Sequence, residues 1–436
     1  MPPLGKETGK KRQSFQNCTM DDATLETISQ SVVRQGLAGA GENELLSTFG
    51  ERCERAGLAL CSAVAVIDTL HPIWEGRAFC WRNDGVQEEP MIEYGSTSTG
   101  EEAERWRRSA FYHLHTTGDE EVRRNIGAGD PADFILLDEL AAQGHTDYLA
   151  LVHRFAADGV IGEMDCVYTH WTTRKPGGFD AADCAALRRL VPMLALALKA
   201  ASLARIAGTL AEIYLGKDAG QQVLSGRISR GVSERISAVL WFSDLCGFTT
   251  IADNSSPDEI IPLLNDYAEI VIAAVHEAGG DVLKLIGDGT LAIFKIGERA
   301  GACRAALRAE AQMKKGVKAL NARRLAEGRP VTTLRLGLHI GEVFYGNIGS
   351  DDRLDFTVVG PAVNEVSRIV SMCRSVDREL LVSQEFVAGL PEEERARFVS
   401  VGRFALRGVR RPQELFTLDP DAPLTAGSVD VRQAND

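Results

Sequence analysis

Two segments of the C-terminal half decide its fold: AVLWFSDLCGFTTIAD at 238–253 and GGDVLKLIGDGTLAIF at 279–294. In the first segment an apolar run leads directly into Asp244, and Gly247 follows. In the second, a Gly-Asp-Gly turn between two strand-like runs carries Asp288. Carboxylates at strand ends, beside glycines that let a ligand approach, are typical of a site for divalent cations and phosphate. Because aspartate is also common in turns, a purely structural role for both residues stays open.

The residues that follow predict an α+β domain of the ferredoxin-like (split βαβ) kind. Ser256 and Glu259 have the spacing of a capping box at a helix start. Apolar residues keep helical spacing up to the glycine pair at 279–280, which ends the helix. The pattern then predicts two strands, a helix, a hairpin turning at Gly341, a second helix and two last strands: 281–286, 290–295, 298–327, TTLRLGLHI with EVFYGNI, PAVNEVSRIVSMCR, ELLVS and VGRFALRG.

Composition restricts the class of protein. A chain of 436 residues is too long for one ordinary core, and 44% hydrophobic with 25% charged residues is typical of a soluble globular protein. The net charge of −13 argues against a nucleic-acid partner. Nine scattered cysteines suit free thiols in a reducing cytosol better than a disulfide framework or a zinc site.

The chain offers no pattern for export or membrane insertion. The first residues, MPPLGKETGKKRQSFQ, contain no apolar stretch of the kind that a signal peptide needs. The most apolar run, LVPMLALALKAASLA, contains Pro192 and Lys199 and is expected to fall short of a membrane span. We therefore expect a cytoplasmic protein with no membrane span.

The N-terminal half predicts a second α+β domain at 43–185, preceded by a polar, mobile arm at 1–42. It includes a helix at 101–114 and a strand pair joined by a turn at Asp158-Gly159. Four tryptophans could line a ligand pocket, or could simply be core residues: Trp74, Trp81, Trp106 and Trp171.

The end of this half resembles a GAF-type sensor domain. Three features carry the resemblance: Val160-Ile161-Gly162, Gly178-Phe179-Asp180 and the long apolar helix from Asp183. The resemblance implies a GAF-like regulatory domain with an unknown ligand or partner. An unrelated α/β sensor and a purely structural cap stay open as alternatives.

A helical signalling linker is predicted at 186–235, between the two domains, and a polar tail at 419–436. Leu196, Leu203 and Leu210 are seven positions apart, as in a short parallel coiled-coil seam. An amphipathic helix that packs on its own domain explains the same spacing.

Common nucleotide-binding signatures are missing from the sequence: it contains neither G-x-x-x-x-G-K-[ST] nor G-x-G-x-x-G after a strand. Four other segments occur in a fixed order between 236 and 418: FSDLCGFT, KLIGDGTLAIF, LRLGLHIGEVFYGNIGS and DFTVVGPAVNEVSR. Together they resemble the catalytic domain of class III nucleotidyl cyclases, specifically the bacterial adenylate cyclase subgroup.

The resemblance implies an adenylate cyclase that converts ATP to 3′,5′-cyclic AMP and pyrophosphate by two-metal-ion catalysis. Asp244, Asp288 and the backbone carbonyl of Leu245 would hold two Mg²⁺ or Mn²⁺ ions per site. One ion would lower the pKa of the ribose 3′-hydroxyl, and the other would bridge the triphosphate.

The remaining site residues are also implied by the resemblance. Lys284 and Thr357 would select adenine, because a lysine N–H can donate to adenine N1, which carries no proton. Phe248 would contact the substrate. Glu342 stands where some relatives have a phosphate-binding arginine, so Arg353 or another cation would bind the terminal phosphates.

Asn364 and Arg368 lie four apart on one helix face, a pattern that by itself suits a solvated face. The resemblance implies that they orient the ribose and stabilise the transition state. Family members place the site between two catalytic domains, which implies a homodimer with two composite sites. Two rival functions stay open: a catalytically silent cyclase-homology module that binds nucleotide, and a guanylate cyclase.

Overall fold

The computed structural model describes residues 20–85, 89–156, 160–231 and 233–419. The chain divides into two units between Leu210 and Ala211. The predicted turn at Asp158-Gly159 and nearly all of the predicted polar tail lie outside the described residues.

The first unit is built on a six-stranded antiparallel sheet in the order β3-β2-β1-β6-β5-β4. Its strands are β1 Ser62–Asp68, β2 Gly76–Arg82, β3 Met91–Tyr94, β4 Glu121–Arg124, β5 Asp147–Arg154 and β6 Cys166–Thr173. Its helices are α1 Asp22–Leu37, α2 Glu42–Arg55, α3 Gly100–Arg107, α4 Ala110–Thr117, α5 Ile135–Ala142 and α6 Ala181–Leu215, which continues past the unit boundary.

Helices cover both faces of this sheet. On one face α1, α2 and α6 form the larger core, where the rings of Phe49 and Trp171 lie 5.3 Å apart. On the other face α4 and α5 pack over β5 and β6. This confirms an α+β fold that is consistent with a GAF-like sensor, while the GAF assignment itself stays a prediction.

Two predictions for this unit are wrong in part. The arm expected to be mobile up to residue 42 contains helix α1, because Leu25, Ile28 and Val32 supply an apolar face that packs into the core. The helix predicted at 101–114 is two helices, since Ser109 caps a new one by accepting a hydrogen bond from the backbone of Tyr112. Strand β4 was not expected.

The tryptophans divide between the two expected roles. Trp81 and Trp171 are buried in the larger core. Trp106 instead lines a cavity on the opposite face of the sheet. Core packing therefore accounts for two of the four residues, and a pocket role stays open for Trp106.

Helix α6 corrects the expectation about the apolar run. It continues through Pro192 and Lys199 without a break and, by length and composition alone, is long and apolar enough to cross a membrane. Several of its leucines are nevertheless buried in the first unit: Leu187, Leu190, Leu194 and Leu198. Because a core helix of a soluble protein passes the same test, the absence of a membrane span stays a prediction.

The seam on helix α6 has mixed exposure. Leu196 is 62% exposed, but Ile206, three positions after Leu203, is 1% exposed in the core of the first unit. Leu203 and Leu210 pack against the same core. These contacts favour the alternative that most of the helix packs on its own domain.

The eight cysteines among the described residues are free thiols. Cys61 comes within 4.8 Å of ligand atoms of Asp84 and His145, a spacing that could suit a metal ion. The same carboxylate accepts hydrogen bonds from Arg82 at 2.7 Å and Arg174 at 3.1 Å, and these two cations oppose a metal there. The expectation against a zinc site stays a prediction.

The second unit has an eight-stranded sheet in the order β13-β14-β12-β10-β7-β9-β8, with β11 paired to β10. Its strands are β7 Ser233–Leu245, β8 Asp281–Ile286, β9 Gly289–Lys295, β10 Leu334–Gly349, β11 Leu354–Val359, β12 Leu380–Ser383, β13 Phe398–Phe404 and β14 Gln413–Leu418. Its helices are α7 Lys217–Leu224, α8 Phe248–Asn254, α9 Pro257–Glu277, α10 Arg299–Ala326, α11 Pro361–Val376, α12 Gln384–Ala388 and α13 Glu392–Arg395.

Helices again cover both faces. Helices α9 and α10 pack on one face, over Val239 and Trp241 of β7. Helix α11 packs on the other face, near Ala238 and Leu240. The capping box at Ser256, which was expected from sequence, starts α9. The ferredoxin-like α+β arrangement is therefore confirmed.

The prediction of a hairpin around Gly341 is wrong. Residues 334–349 form one continuous strand, β10, which pairs with β7 from Leu334–Leu245 to Gly346–Ser233. The glycine serves close packing instead of a turn: a Cβ placed on Gly341 would lie 2.3 Å from the Cβ of Ala362 on helix α11. The absence of a side chain lets the helix lie directly on the strand.

We expect Gly341→Ala to destabilise the protein by about 1–3 kcal/mol, since overpacking forces α11 away from β10. Urea unfolding followed by circular dichroism measures the loss. Gly297→Ala is the control, because an added Cβ there meets nothing within 4 Å. The double variant Gly341→Ala/Ala362→Gly should recover part of the loss. Equal stability of the Gly341 and Gly297 variants would contradict the packing role.

Candidate active site

The strand pairing of the second unit brings Asp244 next to Asp288. Strands β7 and β9 pair up to Ser243 and Thr290, so Asp244 is the first residue of β7 beyond its pairing with β9. Asp288 lies in the tight turn that joins β8 to β9. Gly287 supplies the positive φ of 62° in this turn, a conformation that favours glycine. Two residues 44 positions apart in the sequence thus share one end of the sheet.

The two carboxylates affect each other electrostatically. Burial, the negative charge of Asp288 and a hydrogen bond to Asp288 together raise the pKa of Asp244 to about 6. Arg335, its register partner on β10, opposes this shift. Like charges held this close disfavour each other, and a cation between them removes the penalty. Because both donors are hard oxygens, the donor set suits Mg²⁺ or Mn²⁺.

The residues that follow Asp244 pack into the core and border a small cavity beside Asp288. The side chain of Leu245 is buried in the core of α9 and α10, which leaves its backbone as the part that can face a ligand. Phe248, the first residue of α8, packs partly buried against the same core. A cavity of about 180 Å³ lies between Leu245, Asn265 and Asp288. Nucleotide-sized ligands need about 300 Å³ or more, so this cavity alone does not hold one.

A second polar group forms around Lys284. A register shift between Val282 and Lys284 interrupts the β8–β9 pairing, and such bulges re-aim side chains. The Lys284 ammonium makes an ion pair with Asp355 of β11, and both side chains are partly exposed. Thr357 lies on the same face of β11 as Asp355, since Phe356 and Val358 between and beyond them are buried. Lysine, aspartate and threonine therefore lie together.

Asn364 and Arg368 lie on the exposed face of helix α11, opposite the buried Val366 and Ile369. Within the described part of one chain, no hydrogen bond or ion pair joins either side chain to Asp244.

Helix α11 runs along β10 towards Asp244. Its start lies over Gly341, and the backbone of Val370 lies over Gly337, two strand positions from the register partner of Asp244.

Arg353 lies in the turn between β10 and β11, where its backbone N–H donates to Ser350 Oγ at 3.2 Å. Its side chain is exposed, and within the described part of the chain it makes no hydrogen bond or ion pair with Asp244 or Asp288. Glu342 makes an ion pair with Arg235. A phosphate-binding role for Arg353 therefore finds no geometric support within one chain.

Sequence reasoning missed Asp355 and Arg335. The alternation of DFTVV could have identified Asp355, since it places this residue on the Thr357 side of the strand. Arg335 faces Asp244 only through the register between β10 and β7, which strand patterns do not reveal.

Comparisons with known proteins match the second unit. The family model described as Adenylate and Guanylate cyclase catalytic domain matches residues 232–420. Among curated relatives, an uncharacterized protein of Mycobacterium tuberculosis strain CDC 1551 is 30% identical over 206 residues, which is 46% of this chain and 35% of that protein. Another, from strain H37Rv, is 33% identical over 207 residues, 46% of this chain and 36% of that protein. The chain thus matches about a third of the length of these relatives.

Similar solved structures include the adenylyl cyclase CyaB from P. aeruginosa, with 26% identity, 45% of this chain and 100% of that chain covered, and a TM-score of 0.40. They also include the guanylyl cyclase Cya2, with 25% identity, 43% and 93% coverage, and a TM-score of 0.38. The family match, the four motifs and the ferredoxin-like sheet agree on one assignment. The segment 232–420 is a class III nucleotidyl cyclase catalytic domain.

Proposed function

We propose that the protein is a cytoplasmic adenylate cyclase that works as a homodimer and converts ATP to cyclic AMP and pyrophosphate. The adjacency of Asp244 and Asp288 at the end of the sheet carries this proposal, since the charge of Asp288 raises the pKa of Asp244 and a cation between them would remove that penalty. Asp244, Asp288 and the carbonyl of Leu245 would hold two Mg²⁺ or Mn²⁺ ions. When bound, these ions would acidify the ribose 3′-hydroxyl and neutralise the triphosphate.

In the proposed reaction the 3′-oxygen forms a bond to the α-phosphorus, the bond to the pyrophosphate oxygen breaks, and the hydroxyl proton is released. Arg368 would donate N–H groups to the α-phosphate oxygens, where negative charge accumulates in the transition state. Asn364, one helical turn earlier, would hydrogen-bond the ribose and hold the 3′-oxygen in line. Both side chains are exposed and so available to a nucleotide.

The choice of ATP is proposed from the group around Lys284. Its ammonium offers N–H donors to adenine N1, whereas guanine presents an N–H donor at that position. Asp355 would hold the direction of the lysine ammonium, because the two make an ion pair. Thr357, on the same strand face, offers a hydroxyl to the base edge. Phe248 and Arg353 remain proposed substrate contacts.

The composite site is supported by the exposure of Asn364 and Arg368. In the described part of one chain, neither side chain makes a hydrogen bond or ion pair with the metal pair. A two-fold partner can supply Lys284, Thr357, Asn364 and Arg368 to the carboxylates of the first protomer. The first unit would then act as the regulator of this dimer.

Replacing Asp288 by asparagine should stabilise the metal-free protein at neutral pH by about 1 kcal/mol, after allowing for solvent screening. In the wild type the raised pKa of Asp244 costs stability as pH increases from 3.8 to about 6, and the variant reduces that cost. The difference should vanish in more acidic buffer. Thermal unfolding across pH measures it.

With Mn²⁺ bound, the wild type should become more stable than the Asp288→Asn variant. At a hundredfold excess over its Kd, Mn²⁺ should stabilise the wild type by about 2–3 kcal/mol and the variant far less. Asp253→Asn, an exposed carboxylate on α8, is the matched control and should respond like the wild type. Equal stabilisation of the Asp288 variant by Mn²⁺ would exclude this metal site.

Asp244→Ala and Arg368→Ala should each lower cyclase activity at least about a hundredfold, since each removes a transition-state contact. Mixed in equal amounts so that subunits exchange, the two variants should recover about one quarter of wild-type activity, because half the dimers then hold one intact site. Cyclic AMP formation measures the recovery. A mixture of Asp244→Ala with Asp288→Ala is the control and should recover nothing. Heterodimers without activity in the first mixture would refute the shared site.

The wild type should form cyclic AMP from ATP much faster than cyclic GMP from GTP. Asp355→Asn should lower kcat/KM for ATP about tenfold, mainly through KM, and narrow the preference over GTP, because Lys284 loses its partner. Asp352 is exposed in the turn between β10 and β11, three residues before Asp355. Asp352→Asn is the control and should leave the rates with ATP and with GTP unchanged. A preserved ATP preference in the Asp355 variant would exclude its role in base selection.

A further inference from the structure

The first unit contains a cavity of about 720 Å³ that the proposed cyclase reaction does not use. It lies on the sheet face that carries α3 and α4, and residues of β1, β2, β3 and β6 contribute to its wall. Its volume lies in the range of pockets that enclose small organic ligands.

The polar part of the wall is strongly acidic. Five carboxylates and one arginine line the cavity among the described residues: Asp68, Glu75, Glu102, Glu163, Asp165 and Arg105. The acids converge on Asp68: after burial, the charges of Glu75, Asp165 and Glu163 raise its pKa. Arg105 is 4.0 Å from Glu102 and offsets only that one charge. An anion placed here would meet an excess of negative charge.

The apolar part of the wall is aromatic. Trp106 and Tyr168 pack edge to face with ring centroids 5.9 Å apart, and Phe111 lies 5.2 Å from Tyr168. Tyr94 forms the link to the acidic part, since its hydroxyl donates to Asp68 Oδ1 at 2.8 Å. Aromatic faces attract cations, and they also cover apolar ligand surface.

We propose that this cavity binds an organic cation, an ammonium ion attached to an aromatic or aliphatic body. The ammonium group would pair with Asp68 and its neighbouring carboxylates, while the body would lie against Trp106, Phe111 and Tyr168. A bare metal ion fits poorly, because it needs oxygen ligands on all sides and the rings supply none. Anionic nucleotides are excluded by the charge of the wall.

Calorimetric titration of the full-length protein tests the proposal with probes of matched shape. Phenethylammonium, hexylammonium and choline are the cations, phenethyl alcohol is the neutral control and phenylpropionate the anionic one. We expect at least one cation to bind at one site per chain, and phenethylammonium to bind at least about tenfold more tightly than either phenethyl control. No binding of any cation at millimolar concentration, or equal binding of the alcohol and the ammonium, would overturn the proposal.

Variants locate the binding site. Asp68→Asn keeps an oxygen that can accept from the Tyr94 hydroxyl, and it should weaken cation binding about tenfold. Trp106→Leu should weaken it by a similar factor through loss of the aromatic face. Glu101→Gln, an exposed acid on the same helix as Glu102, controls for net charge and should bind like the wild type. Cation affinity unchanged by both cavity variants would place the ligand elsewhere and refute the assignment.

Discussion

The repulsion between Asp244 and Asp288 is the constraint on which the catalytic unit depends. The β7–β9 pairing and the Gly287 turn hold both carboxylates at one end of the sheet, although the charge of Asp288 disfavours that of Asp244. Folding therefore maintains an arrangement that a cation would relieve, as is usual where binding sites are built at some cost in stability. Much of the surrounding fold, including the core of α9 and α10 behind Leu245, serves to keep that end rigid.

The proposed nucleotide half of the site is positioned by a strand irregularity and by an exposed helix face. Lys284 is re-aimed by a strand irregularity and paired with Asp355, which is 71 positions away in the sequence. Asn364 and Arg368 are carried on the exposed face of α11. These side chains are exposed, and within the described part of one chain no ion pair joins Arg368 to Asp244 or Asp288. That exposure is the reason for proposing that two chains complete each site.

Features that depend on residues close together in the sequence could be predicted, whereas features that depend on contacts between distant segments could not. The capping box at Ser256 depends on residues three positions apart and was correctly predicted. The role of Gly341 depends on Ala362, a contact between distant segments, so a local interpretation mistook close packing for a turn. Asp355 could have been found from strand alternation, whereas Arg335 required the register of two distant strands. In the first unit, α1 was missed because its apolar face is short and becomes evident only from what it packs against.

The glycines of β10 have a mechanical consequence. At Gly337 an added Cβ would lie 2.9 Å from the backbone of Val370, and at Gly341 it would meet Ala362, so α11 lies directly on the strand at both points. His339, between them, is buried beside Glu365 of the helix. Close packing of this kind leaves little room for sliding, so we expect helix and sheet to move as one body. In the proposed dimer, Arg368 could then approach the partner's carboxylates only if one whole catalytic domain turned against the other. Regulation of such an enzyme would act on the angle between two rigid bodies, and a small rotation at the interface would be enough to separate the halves of both sites at once.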